Sequence, residues 1–236
     1  MIIRLFRRIA RFIARKLVRG WPRFWMRYAS LSIFGRIATR LATWFAPPYK
    51  DRASLARMVP QGYVAPNAII YHPDLRLGAN VFVDDRVTIF QAKNGGPIEL
   101  GNRVAILRDT ILETGHGGSL TIGADTWIHS RCQLNAYKAS IQIGCDVQIA
   151  PNCAFYSYDH SLVPGELIKK QPLQAKGDII VEDDVWIGFG VIVLSGVRIG
   201  KGAVIGAGAV VTNDIPIGAI AVGSPARVVK MRSDLG

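Results

Sequence analysis

From Leu77 onward an aliphatic side chain recurs at every sixth position, often followed by glycine. The series runs Leu77-Gly78, Val83, Ile89, then Leu100-Gly101, Ile106, Leu112, then Ile122-Gly123, Ile128, Leu134, then Ile143-Gly144, Ile149, Phe155. After an interruption it resumes at Val181, Ile187-Gly188, Val193, Ile199-Gly200, Ile205-Gly206, Val211 and Ile217-Gly218. A period of six is foreign to an α-helix. One inward aliphatic per six residues, with Gly, Asp or Asn between, predicts short strands joined by tight corners, and the grouping in threes predicts coils of about 18 residues. Such coils bury their aliphatic side chains only by stacking, so the expected fold is an all-β parallel β-helix over residues 61–236, a solenoid whose ends need covers.

Two small insertions, Asn94-Gly95-Gly96 and Gly115-His116-Gly117-Gly118, read as corner loops. The larger break follows IAPNCAFYSYDH (Ile149 to His160): residues 156–178 carry Pro164, Gly165, Pro172 and Gly177 and no period. An irregular excursion in an otherwise regular solenoid is usually functional.

Residues 1–60 follow another pattern. In MIIRLFRRIARFIARKLVRGW, Ile2, Leu5, Phe6, Ile9, Phe12, Ile13, Leu17 and Trp21 recur at helical spacing with arginines between them, which predicts a basic amphipathic α-helix. Residues 22–45 add Trp25, Tyr28, Phe34, Trp44 and Phe45 before Pro47-Pro48. The net charge of +12 belongs to this segment: it holds 14 of the 29 Lys and Arg and one of the 17 acidic residues. Aromatic anchors among one-signed charge suit an anionic membrane surface, engaged through residues 1–46; the alternative is a cap on the solenoid. The basic run breaks the apolar core a signal peptide needs, and no stretch is long enough to span a bilayer. Nucleic acid is not expected, because no binding motif accompanies the charge. Cys132, Cys145 and Cys153 match no metal or redox spacing and read as small core residues.

The runs DDVWIGFGVIVLSGVRIGKGAVIGAGAVVTNDIP (Asp183 to Pro216) and GSPARVVK (Gly223 to Lys230) resemble the C-terminal signature of hexapeptide acyltransferases, a family that includes galactoside and maltose acetyltransferases. The resemblance covers residues 77–230 and implies a left-handed parallel β-helix, a homotrimer with active sites between subunits, and acetyl-coenzyme A as acyl donor. IAPN followed eight residues later by histidine is similar to the segment that delivers the family's general base, which points to His160. An imidazole titrating near neutral pH suits proton transfer from a hydroxyl or amine; Asp159 is the candidate to orient it. The resemblance places the donor against Trp186, Ala207, Thr212, Arg227 and Lys230, with Phe189 where many relatives carry a small residue. A backbone N–H near Gly188 to Gly190 is the candidate oxyanion donor, and Asn135 lies on the acceptor side.

His72, His116 and His129 stand in no metal-ligand spacing, and the His-x4-His pair of β-helical zinc carbonic anhydrases is missing, so no metal is expected. The expected function is an acetyl-coenzyme A-dependent O-acetyltransferase acting on a sugar or glycan hydroxyl, cytoplasmic and peripheral on the cytoplasmic face of the membrane. The alternatives are an N-acetyltransferase on an amino sugar or small amine, and a non-catalytic solenoid scaffold.

Overall fold

A computed structural model describes residues 20–235. The architecture is the expected parallel β-helix, a prism of three sheets. The first face stacks Tyr63–Val64, Phe82–Val83, Ala105–Ile106, Trp127–Ile128, Gln148–Ile149, Trp186–Ile187, Val204–Ile205 and Ala219–Val222. The second stacks seven strands from Ile69–Tyr71 to Val210–Val211, and the third stacks six from Leu75–Leu77 to Arg198–Ile199. The final strand, Arg227–Met231, folds back antiparallel on Ala219–Val222 and closes the first face.

Register explains the period. Val83, Ile106, Ile128, Ile149, Ile187 and Ile205 lie opposite one another from coil to coil and have no exposed surface. Each buried aliphatic side chain contributes on the order of 2 kcal/mol, but only with a neighbouring coil above and below it. Buried Cys132 and Cys153 join this core as expected, while Cys145 is only half-buried.

The glycine that follows the aliphatic is there for closeness. A Cβ on Gly123 would sit 2.5 Å from the Gly144 carbonyl carbon, and one on Gly144 would sit 2.8 Å from the Asp183 nitrogen. Left-handed backbone falls elsewhere, at corner positions such as Asn80, Arg103, Asp125 and Asp146, and Arg86, Asp109, Arg131 and Asn152. Arginine is unusual there. Arg86 pairs with Asp109 on the next coil at 2.7 Å, and Arg103 with Asp125; such exposed pairs add little stability each.

The insertions share one edge. Residues 92–97, 116–119, 138–140 and 157–178 all leave the prism between the second and third faces. One edge therefore carries the irregular chain while the others stay tightly wound.

Of the expected N-terminal helix, residues 1–19 lie outside the described residues. Beyond them, residues 20–26 are helical, Ser32 caps the helix Ile33–Ala42 by accepting from the Gly35 N–H at 3.1 Å, and a short helix follows at Ala53–Ala56. This segment covers the prism. Tyr63 and Phe82 point outward from the first face, stacked at 5.4 Å, yet are 0% and 2% exposed, because Met26, Leu55 and Ala56 join their cluster. Asn80 donates to the carbonyls of Ala56 and Val59, Arg52 pairs with Asp85 at 3.1 Å, and Arg108 reaches buried Asp84 at 3.0 Å while lying over the Tyr49 ring.

The cap reading thus holds for residues 26–59. The same segment keeps an aromatic outer side: Phe34, Ile33 and Trp44 are 84%, 78% and 71% exposed, with Phe24, Tyr28 and Ile37 also open. Arg23, Arg27 and Arg40 are exposed among them. No helix of the described residues is long and apolar enough to cross a membrane.

Candidate active site

The irregular excursion is anchored by buried hydroxyls at both ends. Ser157 donates to the Ala139 carbonyl at 2.8 Å and accepts from the Tyr137 N–H at 2.9 Å, tying the departing chain to the coil before it. Ser195, one coil later, donates to the Ser157 carbonyl and accepts from the Lys176 N–H, both at 2.9 Å. Within the loop, buried Gln171 accepts from Val163 N at 2.8 Å and donates to the carbonyls of Val163 and Glu166. Asp159 and His160 pair antiparallel with Gln174 and Leu173. His160 is therefore exposed on a built ledge, not on loose chain.

Asp159 is equally exposed and adjacent in the same two-residue strand, so its side chain leaves from the opposite side of the strand.

Beside the ledge lies a polar cluster on the second face. Glu113, Asn135 and Tyr156 sit directly opposite one another on successive coils. Asn135 is buried, and its Oδ1 has no hydrogen-bond partner. Burial pushes the Glu113 carboxyl above its ordinary value, and among the described residues no basic side chain forms an ion pair with it. Burial, then the Glu113 charge, pushes the Tyr137 phenol up; burial followed by Tyr156, Glu113 and Tyr137 does the same to Tyr158. The sequence singles out Asn135 of this cluster, and not Glu113, Tyr137 or Tyr158. The signal was the register across coils of unequal length, which no fixed spacing reveals.

The expected donor residues lie elsewhere on the prism. Trp186 is 55% exposed on the first face, in one outward column with Val204, Ile220 and Lys230. Phe189, 54% exposed, and Ala207 occupy the edge between the first and second faces, where Gly208 N donates to Phe189 O at 2.8 Å. Arg227 lies opposite Val222 in the closing pair. These five come to one side of the molecule. Thr212 does not: it follows Val211 at the edge beyond the second face, two coils after His160, with its hydroxyl on Asn213 Oδ1 at 2.8 Å.

The N–H groups of Gly188 and Gly190 donate to Ile205 O at 2.8 Å and Pro151 O at 3.0 Å, so they are bound into the ladder. His72 is buried with Nε2 3.0 Å from the Thr114 hydroxyl, and burial lowers its pKa. His129 is lowered by burial and then by Lys50, and lies against Trp127. Both are structural. A cavity of about 630 Å³ lined by Ala29, Leu31, Pro60, Val64 and Leu77 lies under the cap, on coils remote from His160. Among the described residues no group of three or more His, Cys, Asp and Glu could hold a metal ion.

Residues 178–213 match the family described as bacterial transferase hexapeptide, six repeats. Residues 178–213 thus carry the hexapeptide repeat of bacterial transferases. Nodulation protein L of Rhizobium meliloti is 42% identical over 113 residues, covering 48% of this chain and 60% of that protein. Galactoside O-acetyltransferase of Lactococcus lactis is 42% identical over 94 residues, covering 40% of this chain and 44% of that protein. The chain spans about half the length of the curated relatives it matches. Among solved structures, a mutant of AntD, an N-acyltransferase from Bacillus cereus in complex with dTDP and coenzyme A, superposes with a TM-score of 0.56 at 25% identity, covering 70% of this chain and 84% of that one.

The Glu113 environment sets a pH dependence. A carboxyl held above its unfolded value of about 4.3 destabilises the fold at neutral pH, and the effect disappears as pH falls through the folded value to the unfolded one. Glu113→Gln should therefore raise the thermal midpoint at pH 7 and leave it unchanged near pH 4, as measured by circular dichroism.

Proposed function

We propose that this chain transfers an acetyl group from acetyl-coenzyme A to a sugar or glycan hydroxyl, with His160 as general base, in sites completed between copies of a homotrimer. The observation that carries this reading is the division of each chain into two halves of a site. His160 stands on the edge between the second and third faces, whereas Trp186, Phe189, Ala207, Arg227 and Lys230 gather on the first face and the edge beyond it. A whole face of the prism separates them. Side chains on different edges of a rigid solenoid meet only when another copy brings its other edge alongside, as cyclic symmetry does.

The residues suit their parts. Exposed Trp186 and Phe189 beside small Ala207 offer an apolar groove, while Arg227 and Lys230 offer charge for coenzyme phosphates. His160 accepts the acceptor hydroxyl proton as that oxygen attacks the acyl carbon. The C–O bond forms, the C–S bond breaks, and the proton passes from the imidazolium to the departing thiolate. The acyl-group donor supplies the activated thioester; the chain supplies position and proton transfer.

The sugar hydroxyl is favoured by the likeness to a galactoside O-acetyltransferase and by the polar, aromatic cluster next to His160. The same base would serve an amine, and the likeness to AntD, an N-acyltransferase, keeps N-acylation as the second reading. His160→Ala should lower turnover by at least about 10²-fold with the thermal midpoint unchanged. Unaltered turnover would remove the base assignment and favour a scaffold.

The outer side of the cap supports the reading that this chemistry works at the cytoplasmic face of a membrane. Phe24, Tyr28, Phe34, Ile37 and Trp44 would enter the lipid interface while Arg23, Arg27 and Arg40 meet anionic headgroups. Replacing Phe34 and Trp44, which make little contact with the prism, by serine should abolish sedimentation with phosphatidylserine vesicles and leave the oligomer intact. Sedimentation that persists would leave the segment as a cap alone.

A further inference from the structure

From coil to coil, the outward column of the second face nearest the loop-bearing edge reads Tyr71, Phe90, Glu113, Asn135, Tyr156, Leu194. Two members depart from what an outward solenoid position needs. Asn135 is only 8% exposed and its buried Oδ1 lacks a partner. Glu113 next to it is a half-buried carboxylate with no ion-pair partner among the described residues. Unpaired buried polar groups are rare and costly, so a pair of acceptors on adjacent coils fits positions that a donor-rich ligand completes.

Aromatic rings border the pair. Tyr156 and Tyr158 lie 6.0 Å apart between centroids, Tyr158 and Tyr137 5.2 Å, and Tyr137 and His116 5.3 Å. The row starts within four residues of His160 and runs away from it along the edge. The local sequence is shaped for it: a Cβ on Gly115 would fall 2.4 Å from the Tyr137 ring, so the ring lies flat on bare backbone. Tyr156 is held in turn by Gln133, which accepts from its hydroxyl at 2.7 Å.

Resting on the reading of His160 as base, we infer that this cluster is an acceptor subsite for a neutral oligosaccharide, with sugar faces on Tyr158 and Tyr137 and sugar hydroxyls donating to Glu113 and Asn135. A pyranose has an apolar C–H face and a rim of hydroxyls, the complement of rings beside two acceptors. Four rings in succession extend past a single sugar unit. The unit at His160 would receive the acetyl group, and the units beyond it would set specificity through Glu113 and Tyr137. An anionic acceptor is disfavoured, because the group in the middle of the cluster is itself a carboxylate.

The test uses the full chain as the His160→Ala variant, which binds without turnover, on an array of immobilised mono-, di-, tri- and longer oligosaccharides. Retention is expected to be stronger for di- and longer saccharides than for monosaccharides. Glu113→Gln, which exchanges a charged acceptor for a neutral one, and Tyr137→Ala should each weaken it at least about tenfold, the size of one lost charge-assisted contribution or ring contact. Tyr137→Phe keeps the ring and should keep most of the retention, which separates a binding role from simple packing. Absence of glycan retention, or retention by Glu113→Gln and Tyr137→Ala equal to that of the parent variant, with thermal midpoints no lower than the parent's, would overturn the subsite. If transfer to a small hydroxyl acceptor still depends on His160 in that case, the proposed activity stands and only the oligosaccharide subsite falls.

Discussion

Everything in this molecule depends on coils stacking at the spacing of hydrogen-bonded strands. Backbone bonds from one coil to the next, such as Trp127 N to Val147 O at 2.9 Å, repeat up each face and leave no room for variation inside. That constraint puts an aliphatic at every inward position and glycine where coils touch. It also confines chemistry to outward columns and to chain that leaves the prism. Because every insertion leaves at one edge, that edge holds His160, and Ser157 and Ser195 make its ledge part of the rigid stack. On the proposed reading, a site forms where this edge of one copy meets the first face of another.

The period of six, the extent of the solenoid and the irregular loop were legible in the sequence, because an inward position admits few residue types. Outward positions admit many. Glu113 and Tyr137 therefore looked like ordinary surface residues until register set them beside Asn135 and Tyr158. Asp159 neighbours His160 in an extended strand, where adjacent residues face opposite ways whatever their chemistry. The N–H groups of Gly188 and Gly190 are used by a coil's own ladder, which sequence alone does not show. Thr212 parted from the other donor residues because the prism turns a corner after Val211.

The N-terminal segment shows why one pattern left a cap and a membrane surface both open as readings. Amphipathicity predicts that an apolar face is covered, without saying by what. In residues 20–59 one side covers Tyr63 and Phe82 and the other presents Phe34, Ile33 and Trp44. A cap needs only the first side. The second gives the solenoid a direction relative to any surface it meets, so the position of His160 above that surface follows from the cap's own packing.

The most direct test of the account is complementation between two inactive variants, His160→Ala in one chain and Trp186→Ala with Phe189→Ala in the other. The two are mixed under conditions that reshuffle subunits, and transfer from acetyl-coenzyme A is assayed. If each site takes its base from one copy and its donor groove from the next, random mixing should restore about a quarter of the wild-type activity, as follows from chance pairing around a cyclic oligomer. No recovery, with mixed oligomers present, would contradict the account.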